Sequence, residues 1–597
     1  MRYPKLNELE NSRQIVDVFR GYNHNLRIRS GEFYDMENLA STNYPVLAPR
    51  LQRGVYASPA SAQGLIAKDT LCYVDGQNFI MDGYTIDMNL STQEKDCPKR
   101  LISMGAYVII LPDKKYINTT DITDFGNIEA SVKTTSPVTF TLCKVDGGEY
   151  TATYTQASEP AEPGNMDLWI DTSSEPNTLK QWSESSGMWV TIATTYIKIS
   201  CPGIGTPFEQ YDGVEISGLK DTTIYDNASG EAIDDASELA ALDGSMIVWD
   251  KGDDYIVVVG MLGVTRTISN SITVSRTMPN MDYVVESGNR LWGCRYGTAA
   301  NGDVVNEIYA SKLGDFRNWN CFMGVSTDSY AAEVGTDGAF TGAITHLGYP
   351  LFFKENCVHK VYGSYPANFQ IQDTACRGVQ RGCDRSLAIV NEVLYYKARS
   401  GVCAYDGSLP TEISAEFGDE TYSNAVAGAY GNKYYISMED AYGKWHLFVY
   451  DAAKGMWHRE DSTHADAFCA CRGELYYIDH DAGTIRTELG SGTKDTSPVK
   501  WMAETGILGT DQPDRKYISR LTVRMALCIG TKVYFKIQYD SSGDWEQVFM
   551  MEGDNLRSFA VPIRPRRCDH LRLRIEGEGD AKIFSIAKTI EIGSDIR

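Results

Sequence analysis

Apolar and polar residues alternate with a period of two along most of this chain, in short runs rich in β-branched and aromatic side chains and bounded by Gly, Asp and Asn. That pattern predicts half-buried strands almost throughout. Helical spacing is scarce, and its best candidate, the acidic stretch Asp234–Leu242 (DDASELAAL), is long enough for a turn or two. Above the strand scale runs a weak repeat: an aromatic-rich strand, a short turn, and a second strand ending in Tyr or Asp plus Gly. It reads LCYVDGQNFIMDG from Leu71, AYVIILPDKKYI from Ala106 and RLWGCRYG…NEIYASKLGDFRNW from Arg290. It returns as LFFKENCVHKVYG from Leu351, LYYKARSGVCAYDG from Leu394, YYISMEDAYGKWHLFVYD from Tyr434 and LYYIDHDAGTIRT from Leu475. The last four copies start roughly 40 residues apart, the length of one four-stranded propeller blade. Such a blade cannot bury both faces alone, whereas neighbours stacked around an axis bury them together.

Between the second and third copies the interval is too long for one blade. It holds alternating strands with their own turns (TSPVTFTLCKVDGGEYTATYTQ, then LWIDTSSEPNTLKQWSESSGMWVTIATTYIKI), which read as an inserted module. GSGTKDTSP from Gly490 reads as a linker, and the alternating runs after it as a terminal β-sandwich. The expected fold is all-β: a six- or seven-bladed β-propeller with an inserted β-sandwich-like module and a C-terminal jelly-roll-like β-sandwich. The expected boundaries are 1–50 for an N-terminal arm closing the propeller and 51–130 for the propeller's first part. The insert then spans 131–219, the rest of the propeller 220–490 and the terminal sandwich 491–597. A meandering stack of β-sandwiches is the competing architecture, but sandwiches rarely keep such a period for three steps.

Composition narrows the function. With 597 residues, 43% hydrophobic and 23% charged, the chain can bury a real core. Lys+Arg 56 against Asp+Glu 79 leaves a net charge of −23, the wrong sign for broad phosphate binding. No apolar run is long enough to span a bilayer, and the opening MRYPKLNELENSRQ is polar, so neither membrane insertion nor a secretory leader is expected. The 14 cysteines lie singly in apolar stretches such as TLCYV and FTLCKV, which predicts free buried thiols and folding in a reducing cytoplasm.

Candidate chemistry is sparse. The chain has no GxSxG, HExxH, GxxxxGK[ST] or CxxC motif, and no GxGxxG opening a helix. Its eight histidines are His24, His346, His359, His446, His458, His464, His480 and His570. His458 and His464, beside Asp461 and Asp466 in WHREDSTHAD, are the one local group of potential ligands, and a solvated inter-strand loop accounts for them. Cys469 and Cys471 share a strand face, and Cys376 and Cys383 flank a small loop; all four are expected as free thiols. The Asp-Gly pairs at Asp75, Asp82, Asp337 and Asp406 are hairpin chemistry rather than a paired-carboxylate site. SESSGMW, DAAKGMW and DSSGDW read as hairpins whose Trp packs on the adjacent sheet, and the basic Arg564–Arg567 segment as an interface or salt-bridge element. No catalytic, cofactor-binding or metal-ligating residue is assigned, and no cofactor is expected.

Several segments nevertheless have a familiar look. GYNHNLRIRSGEFYDMENLASTNYPVLAPR (Gly21–Arg50), NEIYASKLGDFRNW (Asn306–Trp319), LFFKENCVHKVYG and GVCAYDGSLPTEIS (Gly401–Ser414) resemble bacteriophage virion proteins of the tail-nozzle and packaged-DNA-stabilisation type. So do the C-terminal KYISRLTVRMAL and PRRCDHLRLRIEGEGD. The resemblance covers the arm, most of the repeat and the last domain, but not the insert. It implies a structural virion protein, made in the bacterial host cytoplasm and not an enzyme. Such a protein forms an oligomeric ring, a hexamer foremost, below the head–tail connector, lining or closing the DNA exit channel. The implied partners are further copies of the chain, connector or adaptor and other tail proteins, and genomic DNA that passes without specific binding. A negative wall repels phosphates and suits that conduit. Two other readings stay open. One is a tail protein whose insert or terminal sandwich binds host-surface glycan, through aromatics such as Trp169, Trp182 and Trp189; the other is a propeller enzyme that degrades glycans.

Overall fold

The computed structural model describes residues 11–92, 99–135, 137–299, 302–509, 515–553 and 556–592. Apart from a one-turn helix at Ser237–Ala240 and four 3-10 turns, its regular elements are strands. Six sheets are four-stranded antiparallel meanders built from consecutive strands. They are sheet 1 (62–87), sheet 2 (100–127), sheet 3 (283–333), sheet 4 (340–375), sheet 5 (388–412) and sheet 6 (422–459). Sheet 7 takes Ala465–Cys471, Glu474–Asp479 and Thr484–Thr487 and adds Gly54–Ala57 from far earlier in the chain. The first strand of each sheet packs beside the first strand of the next, and that of sheet 7 beside that of sheet 1. Between sheets 4 and 5 the 3-10 turn Asp384–Ser386 makes this contact. The circuit closes, which is the propeller arrangement and leaves each sheet's apolar faces covered by its neighbours. The local turns follow sequence: Asp82 and Gly83, with φ of 50° and 80°, form the two-residue loop between Met81 and Tyr84, the backbone a type I′ turn requires.

Closure differs from expectation. The strand that completes sheet 7 is Gly54–Ala57, paired through Ile485↔Ala57, Arg486↔Val55 and Thr487↔Gly54, and it lies just beyond the arm. The expectation that 1–50 closes the propeller is corrected for its described residues, 11–50, which belong to the terminal domain. Asn11–Val16 pairs with Ala581–Ile592, and Glu32–Glu37 with Lys500–Thr505. With them the terminal domain has two sheets, one ordered Asn11–Val16, Ala581–Ile592, Lys516–Leu527, Leu556–Val561. The other runs Gly21–Tyr22, Glu32–Glu37, Lys500–Thr505, Leu571–Glu578, Thr531–Tyr539, Glu546–Gly553. Setting Gly21–Tyr22 and Glu32–Glu37 aside, this is the eight-strand jelly-roll order, four strands to a sheet, with the first strand supplied from the other end of the chain. Lys516–Leu527 shows why it forms: Ile518, Leu521, Val523, Met525 and Leu527 are buried while the residues between them are not.

The arm also straps this jelly roll to the propeller. Tyr22 packs 5.4 Å from Phe448 and 6.2 Å from Phe417, and one apolar cluster runs from Tyr396, Phe417 and Trp457 through Phe33 and Met36 to Val523 and Leu573. At Gly21, with φ of +85°, an added Cβ would sit 2.2 Å from the Trp457 carbonyl oxygen, so only glycine permits this approach.

The insert is larger than 131–219. Ala130–Lys133 pairs with Thr273–Arg276, so the module spans 130–276 and the second part of the propeller begins with Tyr283, not at 220. A four-stranded and a five-stranded sheet enclose a core of Phe140, Ile199, Phe208, Ile216, Ile256 and Val274. The strands Gly244–Ile247 and Tyr255–Val259 fall in the range expected for the propeller, and their pairing places them in the insert instead. The expected linker is likewise partly ordered, Thr493–Lys494 pairing beside Gly54–Val55.

Candidate functional site

The first strands of the seven sheets begin on one face of the ring, and polar chemistry collects there. Arg100, which opens the first strand of sheet 2, binds Asp384 in the turn before sheet 5, a non-neighbouring sheet, so the ion pair crosses the ring's interior. Its guanidinium lies 4.6 Å from the ring centre of Tyr283, the first strand residue of sheet 3. Arg385 continues the line, its Nη1 donating to the Asp466 carbonyl at 2.9 Å.

Around Asp466 stand two imidazoles. His464 ends the connection from sheet 6, and His480 follows the second strand of sheet 7. The pairing Ala465↔Asp479 and the His480 backbone N–H, which donates to the His464 carbonyl at 2.9 Å, bring them together. His480 Nδ1 is 3.0 Å and His464 Nε2 3.8 Å from the same Asp466 oxygen, Oδ1. The rings stack 4.0 Å apart, and Trp445 of sheet 6 stacks 3.6 Å from the opposite face of His464. Burial, then the neighbouring His480, hold His464 below the usual imidazole range, so it is a neutral ligand or base near neutrality. Beside Trp445, His446 Nε2 lies 2.8 Å from Asp440 Oδ2.

The group WHREDSTHAD is therefore split. His464 and Asp466 reach this face. His458 is buried beneath Gly21, and burial pushes its pKa down to about 3. Asp461 turns to the seam where the chain enters sheet 7. There Arg53, 3% exposed, donates Nη1 to Asp461 at 2.6 Å, Nη2 to Glu460 at 2.7 Å and Nε to Glu488 at 2.6 Å. Burial raises Asp461, but Arg53, Arg50 and the bonds from Thr463 outweigh it and hold the carboxyl at about 2. Burial lifts Glu488 well above the carboxylate range, and Glu460 adds to the rise against the pull of Arg53. His480 escaped the sequence reading because nothing local ties it to His464; the link is a cross-strand register.

The other candidates settle into structure. Trp169 is buried, and Trp182 and Trp189 are half-buried; Trp169 and Trp182 pack against the Trp189 ring, at 5.4 and 5.5 Å. SESSGMW, DAAKGMW and DSSGDW are hairpins. Trp457 is buried with its indole N–H donating to the Ile413 carbonyl, and Trp545 lies 4.0 Å from the Arg574 guanidinium. No disulfide joins any of the thirteen described cysteines, and Cys376, Cys383, Cys469 and Cys471 are free thiols; Cys97 lies outside the described residues. Arg564, Arg566 and Arg567 are exposed, Arg566 lying over Tyr539.

No family model matches the chain, and no curated protein matches it. Solved structures similar to it include an exo-β-1,3-galactanase from Phanerochaete chrysosporium, 9% identical over 51% of this chain and 94% of that one, with a TM-score of 0.21. PorZ, a bacterial surface component of the type-IX secretion system of Porphyromonas gingivalis, is 11% identical over 84% of this chain and 70% of that one, with a TM-score of 0.25. An acylaminoacyl peptidase of Pyrococcus horikoshii is 10% identical over 51% and 47%, with a TM-score of 0.22. Likeness at this level says nothing of this chain's chemistry.

A carboxylate pair for glycoside hydrolysis stands roughly 5–9.5 Å apart across the scissile bond. The seven first strands carry two carboxylates between them, Glu286 and Asp466. Asp466 lies near the beginning of its strand and Glu286 near the end of its own, toward opposite ends of the ring's interior. Glu286 accepts the Asn289 backbone N–H of its own turn.

Proposed function

We propose that this chain is a structural virion protein of a bacteriophage tail, one subunit of an oligomeric ring that extends the connector and lines or closes the DNA exit channel. The observation that carries the reading is where the resembling segments fall. Gly21–Arg50 is the strap between propeller and jelly roll. Asn306–Trp319, Leu351–Gly363 and Gly401–Ser414 lie on sheets 3, 4 and 5, and the two C-terminal segments lie in the jelly roll. None lies in 130–276. The resemblance thus maps onto one continuous scaffold and skips the single module grafted on it. The net charge of −23 suits a wall past which DNA slides. The ring's own interior, crossed by Arg100–Asp384, is not the conduit; a conduit would form between subunits.

Native mass measurement of the purified chain, together with immunogold labelling of virions, tests the proposal. A closed ring of several copies, six by the resemblance, and label at the tail are expected. A strictly monomeric protein absent from particles would sink it. A second reading, glycan binding by the insert, keeps one supporting observation: Trp182 lines an open hollow with Asn165, Gln181 and Glu184. Loss of cell adsorption on deleting 131–275, with the ring intact, would favour that reading.

A further inference from the structure

We infer that His464, Asp466 and His480 form a binding site for one divalent transition-metal ion of the zinc, cobalt or nickel class, a site independent of the tail reading above. Both imidazole nitrogens converge on a single carboxylate oxygen, at 3.0 and 3.8 Å. The three donor atoms lie within 4.8 Å of one another, against the roughly 3.3–3.5 Å that a tetrahedral ion with bonds of about 2.0–2.2 Å wants, so binding would draw them together and swing the His480 ring out of its stack on His464. His480 Nδ1 would exchange its hydrogen bond to Asp466 for a shared metal.

Three features favour a built site over a chance cluster. The ring of His464 is held on one face by Trp445, which fixes its orientation and leaves its edge available. The His480 backbone N–H holds the two histidines in register through the His464 carbonyl. The side chains are 18–26% exposed, enough for a water to complete the coordination, while Glu439 and Asp481 add negative charge around His464. Two imidazoles with one carboxylate select borderline cations; calcium and magnesium prefer all-oxygen shells. The ion would join the start of sheet 7's first strand to the far turn of the same sheet, in the sheet where the ring closes.

The test uses the full-length chain, stripped with a chelator and then titrated with zinc by calorimetry and with cobalt by absorption. One equivalent is expected, with a nitrogen/oxygen ligand-field spectrum, a higher melting temperature, and at least about tenfold weaker binding in His480→Ala and Asp466→Asn. The inference is overturned if the wild type takes up no metal at micromolar concentrations, if the variants bind as tightly as wild type, or if thiolate-to-cobalt bands show that cysteines hold the ion. Should a variant misfold, the wild-type cobalt spectrum decides alone: a nitrogen/oxygen pattern supports the site and thiolate bands reject it.

Discussion

Arg53 is the side chain whose loss should do most damage for its size. It enters sheet 7 one residue before the closing strand and neutralises a buried group of Glu460, Asp461 and Glu488 through three bonds of 2.6–2.7 Å. Replacing it with Met keeps much of the volume and removes the carboxylates' main partner. Breaking a buried ion pair by removing one partner costs about 3–5 kcal/mol, because the remaining charge stays desolvated. Glu460 and Asp461 lose Arg53 and keep only Arg50, at 3.6 and 3.3 Å, so Arg53→Met is expected within that range rather than beyond it. Glu488, lifted by burial toward its neutral form, is different: Glu488→Gln keeps an acceptor for Arg53 and a donor for Glu460, and should cost less than about 1 kcal/mol. Urea unfolding followed by tryptophan fluorescence and by far-UV circular dichroism reads both as shifts in midpoint at constant slope. A loss below about 1 kcal/mol for Arg53→Met, or equal losses for the two variants, would refute this account of the seam.

The same seam sets an acid limit. Asp461 has a folded pKa of about 2 against 3.8 unfolded, a depressed value, so its contribution is present above the unfolded value and is lost as pH falls through the folded one. That is worth about 2 kcal/mol, disappearing between roughly pH 4 and pH 2, and Asp461→Asn should remove that part of the acid dependence when unfolding is compared across the interval. Gly21→Ala should cost at least about 2 kcal/mol, since the left-handed backbone and the Trp457 carbonyl both oppose a Cβ, and an unchanged melting temperature would contradict the strap contact. Replacing 131–275 by a short Gly/Ser bridge should leave a soluble propeller and jelly roll, because Ala130 and Arg276 are paired neighbours; insoluble protein would mean that the insert supports the core, through contacts such as Gly213 N–H to Asn318.

Much of the local structure was legible from residues alone. Asp82-Gly83 reads as a hairpin and is one, and the alternation in KYISRLTVRMAL is the alternation of buried and less buried positions. The candidate site was half legible: His464 and Asp466 stand out as neighbours in WHREDSTHAD, while His480 and the stacking Trp445 come from other strands. Arg53 carried no signal at all, since one arginine before GVYA looks like any other.

The sequence by itself determined that this chain is a β protein, where most strands and turns lie, and that a propeller repeat runs through it. Period-two burial and turn chemistry are local properties, written in a few consecutive residues. Only the tertiary structure decided which strand pairs with which. GVYA completes sheet 7, NSRQIV completes the jelly roll opposite the last strand, and TVSR closes the insert on Ala130–Lys133. A strand's alternation states which face it buries but not its partner. The entropy of closing a long loop rises only with the logarithm of its length, so distance along the chain hardly restrains the choice. The partner is selected by the apolar surface that remains to be covered once the rest has folded.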